Sequence, residues 1–439
     1  MSRGRGEILP HHAAPVQAKK TWKRAGDSAR IFATTKTKLQ WIEGGGATSA
    51  RGWLASGVAA GLKANRTDMA ILCSDRPAAC AALFTSNNVP AAPVPYDRPL
   101  AAKGRARAAV VNVGCANACT GKPGYADTVR TGKAAAKALG LPVDEILVCS
   151  TGTIGRRLPM DRILAGVKLA AAALKPDGGA DAAAAIMTTD TKPKQAAASF
   201  PFAGGRVTVG GMCKGSGMIC PNLATTLIFH TTDAKVSAAN LRRALKRAVA
   251  RSFNRVTVDG DQSTNDTCAL FANGAAGLPA IAPGKPGWDG FVATLSAVAL
   301  SLAKQIVMDG EGATKFVTCA VEGAATAADA YAAARTIANS PLFKAACFGG
   351  DPNWGRVICA VGNSGAKCAE LKTRIFFDDV CVYDRGRIAS AAVNARLAAV
   401  MKQRAFEVRV DLGLGRFSDA VYTSDLSHGY VSINADYTT

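Results

Sequence analysis

From Trp41 onward, apolar positions recur with two different periods, and the switching between them predicts the elements of this chain. Residues 107–112 and 146–149 are short apolar runs bounded by polar residues, which suits buried strands. Residues 126–139 and 180–187 are Ala-rich stretches that read as helices. The second of these runs into the polar sequence Thr188-Thr189-Asp190-Thr191, a good place for an exposed site. Over 241–251, Leu241, Ala244, Leu245, Ala248 and Val249 fall at helical spacing with Arg242, Arg243, Lys246, Arg247 and Arg251 between them. That pattern predicts an amphipathic helix with one cationic, solvated face. Residues 291–307 are apolar but Ala- and Ser-rich, carry Lys304, and fall short of the roughly 20 strongly apolar residues of a membrane span. They read as a buried helix, with no membrane insertion. Alternating strands and helices, without a repeat at solenoid period or a Pro-rich linker, predict an α/β fold with α+β layers.

Composition agrees with a globular chain of 439 residues, 49% hydrophobic and 19% charged. Gly is abundant at 44 residues while aromatics make up only 6%, which suits helices packed closely on sheets and tight turns beside a ligand. The formal charge of +21 raises nucleic-acid binding as a rival function, since clustered Lys and Arg release phosphate counterions. The cluster over 241–251 reads as a solvated helix face, and no nucleic-acid partner is expected. Residues 1–40 are rich in Arg and Lys and poor in acids, and they lack an apolar core segment. They read as a basic extension, either an organellar transit segment or a plain basic tail. The mitochondrial matrix is the first expectation for placement, with plastid and cytoplasm as alternatives.

Thirteen cysteines with no Cys-x-x-Cys pair, and only four histidines, predict reduced structural thiols and no metal site. Asp259, Asp261 and Asp266 form an acidic loop that could face a hard cation, but their spacing lacks a full calcium-loop pattern, and Asx-turns explain them more simply. Gly44-Gly45-Gly46 opens no strand-turn-helix unit and no Gly-x-x-x-x-Gly-Lys run exists, so no bound nucleotide is expected. Asp351-Pro352-Asn353-Trp354 reads as a turn bordering the pocket, anchored by Trp354.

The densest unusual stretch runs from Gly210 to His230 and includes Lys214-Gly215-Ser216-Gly217-Met218-Ile219-Cys220-Pro221-Asn222-Leu223-Ala224-Thr225. Its glycines allow unusual backbone geometry, and Pro221-Asn222 turns the chain into a β-prone run beginning at Thr225. Such a junction can hold the Ala224 carbonyl against the Thr225 hydroxyl. An N-to-O acyl shift and hydrolysis would then free Thr225 as a new N-terminus. Its α-amine, with an ordinary pKa of about 7.7–8.0, can serve as base for its own hydroxyl. No Ser-His-Asp triad is then needed, although His230 and His428 remain as candidate bases, since His11 and His12 lie in the basic extension.

Residues 214–234 resemble the cleavage-site signature of the ornithine acetyltransferase family, also called glutamate N-acetyltransferase, whose pattern is Lys-Gly-Ser-Gly-Met-Ile-His-Pro-Asn-Met-Ala-Thr-Met-Leu followed by Thr-Thr-Asp. The resemblance continues through Asn112-Val113-Gly114-Cys115-Ala116-Asn117, Ser150-Thr151-Gly152-Thr153, Thr188-Thr189-Asp190, Asp259-Gly260-Asp261-Gln262-Ser263-Thr264-Asn265-Asp266, Asp309-Gly310-Glu311-Gly312, Asp351-Pro352-Asn353-Trp354 and Asn434-Ala435-Asp436. It spans about residues 45–439 in family order. Cys220 stands where the family usually has His, Leu223 and Thr226 stand where it has Met, and Gln262 replaces Thr. Cys220 leaves open any part an imidazole plays beside the junction.

The resemblance implies a self-processing acyltransferase fold with interlocked chains, an α chain over 41–224 and a β chain over 225–439. It implies Thr225 as nucleophile, cleavage between Ala224 and Thr225, and Thr151 with Gly152 as oxyanion hole. Thr188, Lys214, Thr225, Glu311, Asn434 and Thr439 are implied to bind substrate. An amino-acid substrate needs a cation, a carboxylate and neutral hydrogen-bonding groups, and these residues can supply all three. The implied reaction moves the acetyl group of N2-acetyl-L-ornithine to L-glutamate without a cofactor, with acetyl-CoA as a further co-substrate in some members. A heterotetramer of two α and two β chains is implied as the assembly. A self-processing amidase or aminopeptidase of similar fold is the alternative.

Overall fold

The computed structural model describes residues 38–220 and 226–436. In chain order, β1 (Gln40–Trp41), β2 (Trp53–Val58), β3 (Met69–Ser74) and β4 (Ala79–Phe84) precede helix α1 (Pro93–Ala102). Next come β5 (Ala108–Cys115), α2 (Gly121–Leu139), β6 (Ile146–Thr153), α3 (Met160–Ala172) and α4 (Gly179–Ala185). The hairpin β7 (Lys194–Phe202) and β8 (Gly205–Lys214) leads through the junction to β9 (Leu227–Thr232) and α5 (Ala238–Ala250). Strands β10 (Val256–Thr257) and β11 (Thr267–Ala272) then bring the chain to α6 (Trp288–Met308).

These elements form four layers. Sheet order β1-β7-β8-β9-β11-β4 makes one layer and β2-β3-β5-β6 a second. Period-2 alternation splits each strand between two cores. On β9, Leu227 and Phe229 face the second sheet, where they pack with Trp53, Leu72, Val111, Leu147 and Phe271. Ile228 faces the other way, into a core built with Leu241 and Leu245 of α5 and Phe291, Leu295 and Leu302 of α6. The outer face of the second sheet, with Ile71, Val110 and Val148, packs on Ala135 of α2 and on Ile163 and Val167 of α3. The order is helix, sheet, sheet, helix. Helix α6 is long and apolar enough to cross a membrane, but it packs beside α5 on the first sheet, with Phe291, Leu295, Val298, Leu302 and Ile306 buried. Burying five such side chains contributes on the order of 10 kcal/mol before entropy is charged against it.

Strands from before and after the junction are interleaved in the first sheet. β8 pairs antiparallel with β9 from Val209↔Thr232 to Lys214↔Leu227, β9 pairs parallel with β11, and β11 pairs antiparallel with β4. A chain cut between 224 and 225 would thus remain held by two ladders of backbone hydrogen bonds.

The remaining residues build a seven-stranded sheet that continues from β10. Its elements are β12 (Phe316–Ala324), α7 (Ala327–Asn339), α8 (Pro341–Gly349), α9 (Trp354–Gly362), β13 (Arg374–Phe377), β14 (Val380–Asp384), β15 (Arg387–Ile388), α10 (Asn394–Lys402), β16 (Ala405–Asp411), β17 (Phe417–Ser424) and α11 (His428–Asp436). Local signals start its helices: Thr326 caps α7 by accepting the Asp329 N–H at 3.0 Å, and Ser340-Pro341 opens α8.

The sequence-predicted elements are present with shifted ends. The strand over 107–112 is β5, the helix over 126–139 begins five residues earlier at Gly121, and the cationic helix over 241–251 is α5, with Arg242, Arg243, Lys246, Arg247 and Arg251 exposed. The strand predicted to end at Cys149 continues through Thr153. Parallel pairing with β5 carries it on, with a register shift at Cys115, and so Thr151-Gly152 lies within the end of the strand. All thirteen cysteines are free thiols, nine of them buried. Residues 1–37 of the basic extension lie outside the described residues.

Candidate active site

A cleft of about 250 Å³ lies where β6 and β8 end and β9 begins. Thr151 and Gly152 of β6, Thr188, Lys214 of β8, Glu311 and Asn434 of α11 all line it, so one site gathers six of the residues singled out in the sequence. Ala224, Thr225 and Thr439 lie outside the described residues; Thr226 and Leu227, which follow the junction directly, line the cleft.

The end of β6 is held from both halves of the chain. Asn265 donates from Nδ2 to the Ser150 carbonyl at 2.8 Å and to the Ala116 carbonyl at 2.6 Å, while the Ser150 hydroxyl donates to Asn112 Oδ1 at 2.6 Å. Gly152 has φ +125°, and a Cβ there would lie 2.4 Å from the Gly114 carbonyl carbon on β5. Only glycine fits that approach. Lys214 donates from Nζ to Thr151 Oγ1 at 3.3 Å. That contact uses an oxygen lone pair and leaves the threonine O–H to donate elsewhere.

The opposite wall holds a carboxylate with both oxygens engaged. Glu311 accepts from Thr189 Oγ1 at 2.6 Å on Oε1 and from Asn434 Nδ2 at 2.8 Å on Oε2, and its own N–H donates to the Ser216 carbonyl at 2.9 Å. A Cβ on Gly217 would fall 2.3 Å from Glu311 Oε2, so this glycine makes room for the carboxylate. Thr189, Ser216 and Asn265 were not singled out as site residues. Each sits in a motif that carries the family resemblance, and only the partner it reaches across the fold reveals its part.

The segment before the junction is fixed by residues that follow it in sequence. Asp259 accepts the Met218 N–H at 2.6 Å and the Ile219 N–H at 2.8 Å, which holds Met218 at φ +56°. The Ile219 carbonyl accepts from Val258 N at 2.7 Å and Thr257 Oγ1 at 3.0 Å. Cys220 is buried, and its Sγ takes hydrogen bonds from Arg335 at 3.1 Å and Asn339 at 3.6 Å.

Electrostatics here follow from burial. Lys214 has its ammonium pKa drawn below the ordinary value by burial, and the nearby Asp190, Asp266 and Glu311 carboxylates pull it partly back. Asp266 is fully buried, which pushes its carboxyl well above the usual range despite Lys214, and its Oδ2 has no hydrogen-bond partner among the described residues. Asp259 is raised too, by burial, against the stabilising backbone N–H groups of Asp261, Ile219 and Met218. All three acids of the 259–266 loop line the cleft. Asp259 Oδ1 also accepts the Asp261 N–H at 3.2 Å, which is the Asx geometry that the sequence favoured.

Two expectations are corrected. Asp351-Pro352-Asn353-Trp354 does not border this cleft: Trp354 stacks on Tyr383 at 5.0 Å between ring centroids, and Asn353 caps α9 and lines a separate hollow beside Ser340 and Arg356. The turn is real, but its position depends on where α8 and α9 pack. The candidate bases also fall away. His428 packs edge-on against Phe348 and His230 points into the core under α6, neither of them lining the cleft. Both His230 nitrogens lack a hydrogen-bond partner among the described residues, and burial lowers its pKa to about 4. A buried base with its folded pKa below the unfolded value near 6.5 costs the native state stability as pH falls from about 6.5 to about 4. His230→Leu is therefore expected to leave the activity that the resemblance implies within about twofold at neutral pH and to move the midpoint of acid unfolding to lower pH. A drop in activity of a hundredfold would show that the imidazole is needed for chemistry after all.

Comparison with known proteins places these observations in one family. The model of the ArgJ family matches residues 54–439. The arginine biosynthesis bifunctional protein ArgJ of Symbiobacterium thermophilum is 48% identical over 91% of this chain and 100% of its own length. That of Geobacter sulfurreducens is 50% identical over 89% of this chain and 99% of its own length. Among solved structures, ornithine acetyltransferase of Mycobacterium tuberculosis complexed with ornithine is 44% identical, covering 43% of this chain and 100% of that chain, with a TM-score of 0.40.

Proposed function

The chain belongs to the ArgJ family and is an acetyltransferase of arginine biosynthesis, and from that premise we propose that it cuts itself between Ala224 and Thr225 and then carries the acetyl group on Thr225. In the first step Thr225 Oγ attacks the Ala224 carbonyl carbon, the C–N bond breaks as an ester forms, and the amine takes the proton. Water then hydrolyses the ester. This leaves an α chain ending at Ala224 in a carboxylate and a 225–439 chain opening on a free amine, near-neutral in pKa and bonded to the residue whose hydroxyl it must deprotonate.

In the transfer itself, Thr225 Oγ attacks the acetyl carbonyl of N2-acetyl-L-ornithine while the threonine amine takes its proton. The oxyanion faces the Thr151 hydroxyl and the Gly152 N–H. Collapse expels the ornithine α-amine, which leaves with the proton, and acetyl-Thr225 remains. The α-amine of L-glutamate attacks that ester, giving N-acetyl-L-glutamate and the free threonine. Lys214 suits a substrate carboxylate and Glu311 an ammonium, with Thr188, Asn434 and Thr439 completing the site.

One observation carries this reading: Thr151, with its O–H free to donate, and the start of β9, two residues past Thr225, line the same small cleft as a buried cation and a held carboxylate. The test is to incubate purified protein with N2-acetyl-L-ornithine, with and without L-glutamate. Ornithine release is expected to rise at least tenfold with glutamate. Equal release in both would make water the acceptor and the protein an amidase. The relatives are named bifunctional, which supports acetyl-CoA as a second donor, read as N-acetylglutamate formed without acetylornithine. A heterotetramer of two α and two 225–439 chains is the proposed assembly. These relatives are bacterial, which argues against the mitochondrial placement expected from the basic extension; the cytoplasm is the placement we carry forward.

A further inference from the structure

Three cleft residues come from three separate segments, and each lies within two residues of one buried ion cluster. Lys194, the first residue of β7 and 1% exposed, donates from Nζ to Asp190 Oδ1 at 2.6 Å and to Asp309 Oδ2 at 2.6 Å. Asp190 Oδ1 also accepts the Gly215 N–H at 2.7 Å, and its Oδ2 accepts the Thr188 N–H at 2.9 Å and the Thr188 hydroxyl at 3.3 Å. Asp309, which follows α6, accepts the Thr191 N–H at 3.0 Å and the Thr191 hydroxyl. Thr188 is therefore bonded to the cluster directly, Lys214 is the residue before Gly215, and Glu311 lies two residues past Asp309.

The cluster stays charged. Burial alone would raise the Asp190 carboxyl, but Lys194, Lys214 and the hydrogen bonds from Lys194 and Gly215 hold it well below the usual carboxylate range. Burial would likewise lower Lys194, and the two carboxylates raise it instead. A buried ion pair is a weak net source of stability compared with apolar residues of the same volume, so its presence here is better explained by the directions it fixes than by stability. One ammonium shared by two carboxylates ties the 188–191 turn, the end of β8 and the end of α6 at a single point. Without it, two buried carboxylates would face each other. Either they move apart or one takes a proton, and the spacing of Thr188, Lys214 and Glu311 changes in both cases.

We propose that Lys194 is a positioning residue for substrate binding: it touches no substrate and does not line the cleft, but it sets Lys214, Thr188 and Glu311 in register for an amino acid carrying a carboxylate and an ammonium. This inference rests on the substrate site proposed above. It predicts that the effects of Lys194 and Lys214 are not independent, because the first acts through the second by way of Asp190 and Gly215.

The experiment measures kcat and KM for acetylornithine and glutamate in the processed parent enzyme, Lys194→Gln, Lys214→Met, the double variant Lys194→Gln/Lys214→Met, and Asp309→Asn, each with its thermal midpoint. A parent that does not transfer, or an unchanged KM in Lys214→Met, overturns the substrate site itself and this inference with it. With those two in order, Lys194→Gln is expected to raise KM for both substrates about tenfold or more with kcat within about threefold, and to raise it by a clearly smaller factor when Lys214 is already Met, since only the part that acts through Thr188 and Glu311 is then left. Effects that multiply in the double variant, or a lower thermal midpoint with KM unchanged, overturn the positioning role. Asp309→Asn keeps an oxygen acceptor for Lys194 and Thr191 and covers the case in which Lys194→Gln does not fold. It is expected to raise KM severalfold, and an unchanged KM in the folded variant would overturn the proposal equally.

Discussion

Thr225→Ala is expected to run as one full-length chain on a denaturing gel and to transfer no acetyl group, whereas the parent is expected to run as two fragments, the smaller beginning at Thr225. The size of the effect follows from one residue serving in both proposed reactions. In that mechanism its hydroxyl breaks the Ala224-Thr225 bond, and the amine freed by that break is the base for the second reaction. Removing the hydroxyl stops the first, so the amine never forms, and the two losses cannot be separated. Transfer is expected to fall by at least about 10⁴-fold, as it does when a covalent nucleophile is deleted elsewhere. Thr225→Ser, which keeps the hydroxyl and loses only a methyl group, is expected to process and transfer more slowly but measurably. Two fragments from Thr225→Ala, split at this junction, would refute self-cleavage by this residue. N-terminal sequencing of the smaller parent fragment tests the site of the cut at the same time.

Much of this cleft was legible in the sequence through the family resemblance. Thr151-Gly152, Lys214 and Glu311 fall in short motifs that match the ornithine acetyltransferase family, far apart along the chain, and the cleft gathers them; residue chemistry alone left Thr151-Gly152 and Glu311 indistinct. Elements set by local signals were also legible: the apolar stripe of α5 and the buried length of α6 follow from periodicity alone. What was not legible depends on non-local pairing. No local pattern tells that β9 lies between β8 and β11, with β4 beyond them, and that order is what interlocks the two parts of the chain. Lys194 carries no local signal, since its two partners lie 4 and 115 positions away and only the folded chain brings them together. His230 looked like a candidate base because a histidine's composition does not reveal its face. Its even position on β9, shared with Ile228, turns it toward α6 and away from the cleft.

The oxyanion hole gives the second large effect, and its two members are expected to fail in different ways. Thr151→Val keeps the shape of the side chain and removes the hydroxyl proposed to donate to the developing charge. Deleting one such donor costs about 10²–10³ in kcat, on the order of 3–4 kcal/mol, with KM little changed because the ground-state carbonyl gains less from the contact than the oxyanion does. Loss of Thr151 Oγ1 also removes the acceptor of Lys214 Nζ, so a modest rise in KM for the carboxylate substrate should accompany it. Gly152→Ala acts through the backbone. At φ +125° an L-residue is strained, and its Cβ would sit 2.4 Å from the Gly114 carbonyl carbon, a contact that only movement of β6 away from β5 can relieve. That movement takes the Gly152 N–H and Thr151 out of line together and loosens the second sheet, so both kcat and the thermal midpoint should fall. Thr151→Val should leave the thermal midpoint nearly unchanged. A Gly152→Ala enzyme with parental kcat would remove this stretch of β6 from the chemistry, and a Thr151→Val enzyme with parental kcat would leave the oxyanion to other donors.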